Sequence, residues 1–544
     1  MRRLRTAGVA TVMGAWLLPV AALAAQPAAA PLDGRPPLAP DRSRDPLPDP
    51  APRDVALGTV ELGARPDVTI REIRFVGAGV PANVARAAQR FVGRRASADN
   101  LAKLAAAMTR AYNRSSVALF TLVIPEQDLS DGIVTVASAE GYIGSVTLSG
   151  ESESGPAPLI ARMAAPLTAE RPLPRAQFER ALGNIADIPG VAVTPRLALG
   201  GEQGAVALDL AVDAKRPTLG LGFTTRTSRF ANDGIVDANA RGTSLLRSGD
   251  ETRLSGAAAV NFRSLLYLAA RHSTPLGAGG TRAELSGAAL RTRPEGLAVD
   301  GEAWSAGFAL THPVVRAARR NLVAVIRVDY LDSKNALFGS TIAAEKSWIA
   351  GGSLAFRLSE DRTAVGARIG VAKGLDIAGA RVDPAIGEVG FAYADVGVEA
   401  NQSFGKAVIA RIAATGRWSR DRLPAAQRFS VGGATFGRAF DDGLVSGDRG
   451  YAAFGELALR PIQNGRMAKS EIYAFADYAD VRLAARASTS AAAFRLGSWG
   501  GGLRLSYADN ATIGLELADA WKQPVPGFGQ DLRVALSWKL SIRP

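Results

Sequence analysis

Between Leu532 and Arg543 every second residue is apolar: Leu532, Val534, Leu536, Trp538, Leu540 and Ile542 alternate with Arg533, Ala535, Ser537, Lys539, Ser541 and Arg543. A period of two is the strand period, and it puts the apolar set on one face and the polar set on the other. Strands of soluble sandwiches alternate too, but they usually stop at about five or six residues. A run of about eleven is the length that a tilted strand needs to cross a bilayer.

The same texture fills the chain from Pro217 onward, where helical periodicity disappears. Leu322, Ala324, Ile326, Val328 and Tyr330 share one face, with Val323, Val325, Arg327 and Asp329 on the other. Charges opposite apolar groups suit a wall between lipid and a watery lumen. At about twenty residues per strand with its turn and loop, residues 217–544 predict a transmembrane β-barrel of about sixteen antiparallel strands, with fourteen and eighteen left open.

The chain begins with Arg2, Arg3 and Arg5, then an uncharged run from Ala7 to Ala25 that ends in Ala22-Leu23-Ala24. Residues 1–25 therefore read as a secretory signal peptide; Gly14 and Pro19 interrupt the run and argue against a membrane anchor. Residues 26–66, with Pro36-Pro37 and Pro46-Leu47-Pro48, read as an extended linker.

Two small α+β units follow, at 67–141 and 142–216. In the first, strands are expected at Ile70–Val76, Val117–Ile124 and Ile133–Val136. Its helix starts at the N-cap Ser97, buries Leu101, Leu104, Met108 and Tyr112 on one face, and stops at Asn113. In the second, Val146 and Leu148 open a strand, Phe178, Ala181, Leu182 and Ile185 mark a helix, and Val206, Leu208, Leu210 and Val212 alternate in a closing strand. Two tandem copies of one module is the economical reading.

Cysteine is absent, so the fold uses no disulfide or thiol chemistry. The net charge of +13 comes from scattered arginines without a dense basic run, which argues against a nucleic-acid partner. With only His272 and His312, both in barrel sequence, neither a histidine metal cluster nor a Ser-His-Asp triad is expected, and no cofactor. Gly277-Ala278-Gly279-Gly280 lacks a Walker lysine and reads as a turn. The residues point away from an enzyme.

The first unit closes with Pro125-Glu126-Gln127, then Asp131-Gly132 and Ala139-Glu140-Gly141. This stretch resembles the first polypeptide-transport-associated (POTRA) domain of two-partner secretion transporters, which carries Pro-x-Gln after its second strand. In the barrel, Phe429-Ser430-Val431-Gly432-Gly433, Phe436-Gly437-Arg438-Ala439-Phe440 and Gly447-Asp448-Arg449-Gly450 are similar to loop six of that family, with its Val-Arg-Gly-Tyr/Phe tip and Gly-Asp-x-Gly. Phe475-Ala476-Asp477-Tyr478-Ala479 is similar to its Phe-x-Asp-x-Gly. Gly437, Ala439 and Ala479 depart from the pattern, and an alanine tolerates positive φ poorly where a glycine does not mind it.

The resemblance implies an outer-membrane transporter with periplasmic POTRA domains that exports a large, unfolded secreted partner. It implies a loop folded into the lumen, with Arg438 paired to Asp477 and Phe440 at the tip. Since a sheet edge can accept an extended strand, partner contact is expected within Ile124 to Ser130, at Pro125, Glu126 and Gln127, with a purely structural turn as the alternative. A monomeric barrel in outer-membrane lipid is expected. An assembly factor of the same superfamily and a passive porin remain alternative readings.

Overall fold

The structure is a computed structural model. It describes residues 68–542, apart from 151–154, 201, 203, 215–216, 228–233, 296–297, 339, 488–489, 509 and 525–531. The signal-peptide and linker readings, and the terminal Arg543-Pro544, lie outside the described residues.

The first module runs β1 (Glu72–Gly77), α1 (Ala82–Gln89), α2 (Ala98–Tyr112), β2 (Phe120–Val123) and β3 (Ile133–Glu140). β3 is central, parallel to β1 and antiparallel to β2. α2 is capped as its sequence requires: the Ser97 side chain accepts from the Asn100 N–H, and Leu101, Leu104, Met108 and Tyr112 are buried. α1 was not anticipated. It is only eight residues long, it has no side-chain cap, and Val84 and Ala88 alone are buried, too few apolar positions for a helical period to show.

The second module repeats this order with β4 (Tyr142–Gly150), α3 (Ala157–Ala164), a 3-10 turn at Ala165–Thr168, α4 (Arg175–Ala186), β5 (Val191–Leu199) and β6 (Ala205–Ala214). β6 is central, parallel to β4 and antiparallel to β5, so the two sheets have one topology. Phe178, Ile185, Leu208 and Leu210 pack in its core beside Leu159 and Ile160 of α3. The modules are bonded together: Ala118 N–H donates to Leu173 O (2.9 Å), and the Arg175 guanidinium reaches Val117 O (2.9 Å).

Sixteen long antiparallel strands close into a barrel, from Thr218–Thr224 to Arg533–Ile542, which pair with each other and shut the ring. The strand Arg533–Ile542 turns Val534, Leu536, Trp538, Leu540 and Ile542 outward, while Ala535 is buried. In Arg320–Leu337, Ile326 and Val328 face outward and the intervening Arg327 and Asp329 pair at 2.5 Å. Trp304, Tyr330 and Trp348 meet from strand to strand at 4.7 and 4.9 Å, part of an aromatic patch on the wall.

Module 2 sits against the barrel turns at one end, here termed the module end. Arg316, at the end of strand Val299–Arg316, makes a bidentate pair with Asp187 after α4, at 2.8 and 2.9 Å. Its side chain lies so close to α4 that a Cβ on Gly183 would stand 2.7 Å from Arg316 Cγ. Glu179 accepts the Ala318 N–H at 3.1 Å, and Arg180 donates to Pro313 O at 3.3 Å.

Candidate functional site

The connection between strands Val408–Trp418 and Arg449–Leu459 does not stay outside the barrel. Phe429–Val431 pairs with Val445–Gly447 as a hairpin that packs on the inner wall. Its tip buries Phe436, Ala439 and Phe440 against Tyr473, Phe475 and Leu496, so an apolar cluster forms on the inner wall.

Arg438 is buried at this tip, and its guanidinium pairs with two glutamates: Nη1 lies 3.0 Å from Glu456 Oε2 and 3.5 Å from Glu516 Oε2. It lies over the ring of Phe475, 4.2 Å from the centroid, and 5.0 Å from that of Phe454. A flat, weakly hydrated cation stacked on aromatic faces suits a guanidinium better than an ammonium.

The expected pairing of Arg438 with Asp477 takes a different form. Asp477 accepts the backbone N–H groups of Gly437 (2.9 Å) and Arg438 (3.2 Å), and the Ser498 hydroxyl at 2.8 Å. The guanidinium turns instead to Glu456 and Glu516. Asp477 fixes the backbone of the tip and the glutamates fix its side chain.

The departures from the family pattern separate by backbone conformation. Gly437 has φ +74°, and a Cβ there would come 2.7 Å from Leu496 Cδ1. Ala439 is not among the positive-φ residues. The position that needs glycine has it, and the alanine sits where L-residues are comfortable.

Behind the tip the charges continue along the wall. Glu456 also receives Arg504 (2.7 Å) and Arg411 (2.8 Å), Glu471 receives Arg411 (2.7 Å) and Arg460 (2.9 Å), and the Tyr473 hydroxyl donates to Glu516 at 2.7 Å. None of these partners was anticipated. Each is a single polar or charged residue on a strand or at its end, a signal present in the sequence, but their mutual contacts depend on register across several strands, which is not readable locally.

The Gln127 amide is engaged within module 1. Its Oε1 accepts the Thr135 N–H (2.6 Å), and its Nε2 donates to Thr135 O (2.9 Å) and Pro125 O (3.1 Å). The side chain so completes the β3 edge just beyond the end of β2. Pro125 and Glu126 are exposed. His272 and His312 each bond a threonine, Thr252 and Thr281.

These features coincide with sequence families. Residues 268–505 match the haemolysin secretion/activation protein ShlB/FhaC/HecB family, and residues 68–141 match the ShlB-type POTRA domain. By both models the chain is similar to the haemolysin secretion/activation family, in its barrel and in its first module. It is a two-partner secretion transporter of the outer membrane, and the assembly-factor and porin readings are not favoured.

The fold agrees. CdiB from Escherichia coli is similar with a TM-score of 0.68 at 17% identity, covering 100% of both chains. CdiB from Acinetobacter baumannii has a TM-score of 0.60 at 16% identity, over 92% of this chain and 94% of its own. BamA from Haemophilus ducreyi lacking POTRA domains 1–3 gives 0.52 at 12% identity, over 87% of this chain and 100% of its own. No curated protein matches by sequence.

The Gly-Asp-x-Gly segment secures the base of the loop. Asp448 accepts the Leu423 N–H and the Ala484 N–H, both at 2.7 Å, and Arg486 at 2.6 and 3.1 Å. Arg486 also donates to Ile386 O at 2.8 Å. The base of the loop and two neighbouring connections are tied at this one carboxylate.

Proposed function

We propose that the two modules lie in the periplasm and dock the unfolded N-terminal region of a large secreted partner, which then passes through a monomeric barrel in outer-membrane lipid. One observation carries the docking site. β2 is an edge strand that runs directly into exposed Pro125 and Glu126, while Gln127 is fastened to Thr135 on the central strand. Gln127 therefore shapes the contact region and does not touch the partner; Pro125 and Glu126 are the presented residues. An edge strand accepts an extended segment through main-chain hydrogen bonds, which suits an unfolded client and asks little of its sequence.

Arg438, Phe440 and Asp477 hold the loop in a position from which export begins. The tip occupies the lumen, so the partner's passage requires it to yield, and its many weakly additive contacts define the resting state. A photo-crosslinking residue at Glu126 tests the docking. It forms an adduct with the secreted polypeptide during export; uninterrupted export without any adduct there overturns the site.

A further inference from the structure

The barrel closes where its first strand, Thr218–Thr224, meets its last, Arg533–Ile542. Among the described residues this seam holds six register pairs, from Ser537↔Thr224 to Ile542↔Leu219. Strand pairing is the main interaction across a barrel seam, and contacts that bridge the end of the ladder add to it.

The end of that joint away from the modules is covered by the loop tip. From the first-strand side, Arg226 ion-pairs with Glu516 and donates through Nη1 to the carbonyls of Arg438 (3.3 Å) and Gly433 (3.4 Å). From the last-strand side, Arg533 pairs with Asp441 of the tip at 3.1 Å. The two sides share one acceptor: Thr227 O receives Arg533 Nη2 and the Asp442 N–H, both at 3.4 Å. The Thr225 hydroxyl accepts the Leu536 N–H at 2.9 Å and continues the seam beneath them. Arg226, Glu516, Arg533 and Asp441 keep only 10–15% of their side-chain surface exposed.

We infer that the loop tip is a clasp across the barrel seam, with Arg226 and Arg533 as positioning residues that hold it from the two flanking strands. Both arginines grip the loop and not each other, so the tip is the shared element. When the tip leaves, Arg226 loses the carbonyls of Arg438 and Gly433 while Arg533 loses Asp441, and the seam is left with the Arg226–Glu516 pair, the Arg533–Thr227 bond and the strand ladder. Release of the loop and loosening of the seam are then coupled, since any state that lacks the tip also lacks the contacts by which it ties the two seam strands together. The clasp goes beyond the transport activity itself: it assigns the loop a second task in addition to filling the lumen.

The test is amide hydrogen exchange on the full chain in lipid nanodiscs, comparing the native protein with Arg226→Ala/Arg533→Ala and Arg226→Lys/Arg533→Lys. Heat-modifiable migration in gels shows which variants form a barrel. In the alanine pair, exchange in 218–227 and 533–542 rises about tenfold or more while Glu471–Leu483 is unchanged. The lysine pair keeps the charge but loses the forked donor, so its seam exchange falls between the two. If the alanine pair does not form a barrel, a seam-confined rise in the lysine pair supports the clasp in its place. Faster exchange in 429–447 with native rates in both seam strands, in whichever pair forms a barrel, would overturn the clasp.

Discussion

Asp477 takes the backbone N–H of Arg438 at 3.2 Å and leaves the guanidinium of the same residue to Glu456, 3.0 Å away. Two neighbouring strands thus hold one residue by its two ends. A charge exchange between Arg438 and Asp477 accordingly fails to restore export, because these side chains are not each other's partner. Arg438→Ala and Asp477→Ala each abolish release of the partner into the medium while the barrel stays heat-modifiable. Asp477→Asn is milder than Asp477→Ala, since one oxygen remains to accept, whereas alanine strands buried donors at about 1–3 kcal/mol each. Recovery of export by the exchanged pair would refute this geometry.

Gly437 and Ala439 give opposite outcomes despite their proximity. Gly437→Ala forces a side chain into φ +74° and against Leu496. It costs about 1–3 kcal/mol at the tip and reduces export. Ala439→Gly leaves export unchanged. Parallel export assays on the two variants decide the matter, and equal effects would contradict the assignment of strain to Gly437.

Module 1 separates folding from binding. Gln127→Ala removes both bonds to the Thr135 backbone and lowers module stability by about 1–3 kcal/mol, read as faster exchange in β3. Glu126→Ala leaves that exchange unchanged but reduces partner capture. The same residue pattern with the effects reversed would show that Gln127, not Glu126, meets the partner.

The joint between module 2 and the barrel depends on Arg316 and Asp187, which pair at 2.8 and 2.9 Å. Arg316→Ala leaves the Asp187 carboxylate without its fork of donors. Distances between spin labels on α4 and on strand Arg320–Leu337 then spread over a wider range. A distribution as narrow as the native one would show that the apolar contacts hold the joint without the ion pair.

The sequence made the repetitive parts readable and hid the cooperative ones. Leu532 to Ile542 announced a membrane strand because its period is local, and Ser97 with Leu101, Leu104, Met108 and Tyr112 announced α2 for the same reason. α1 and α3 are eight residues each, too short for a period to stand out. Arg438 and Asp477 were found through family resemblance, but their relationship was not, because a motif names residues without saying which atom of one meets which atom of the other. Glu456, Glu516, Arg226 and Arg533 come from four different strand regions and become a site only when the ring closes.

Export of a dedicated partner is tested most directly in the bacterium that makes this protein. Its gene is deleted, and the proteins in the medium are compared before and after complementation with the full chain or with a chain lacking residues 67–141. A large polypeptide is expected to vanish from the medium on deletion. It should return with the full chain and stay absent with the truncated one, although that barrel still reaches the outer membrane. Unchanged release of every medium protein on deletion, or full recovery by the truncated chain, would contradict partner export through docking on module 1.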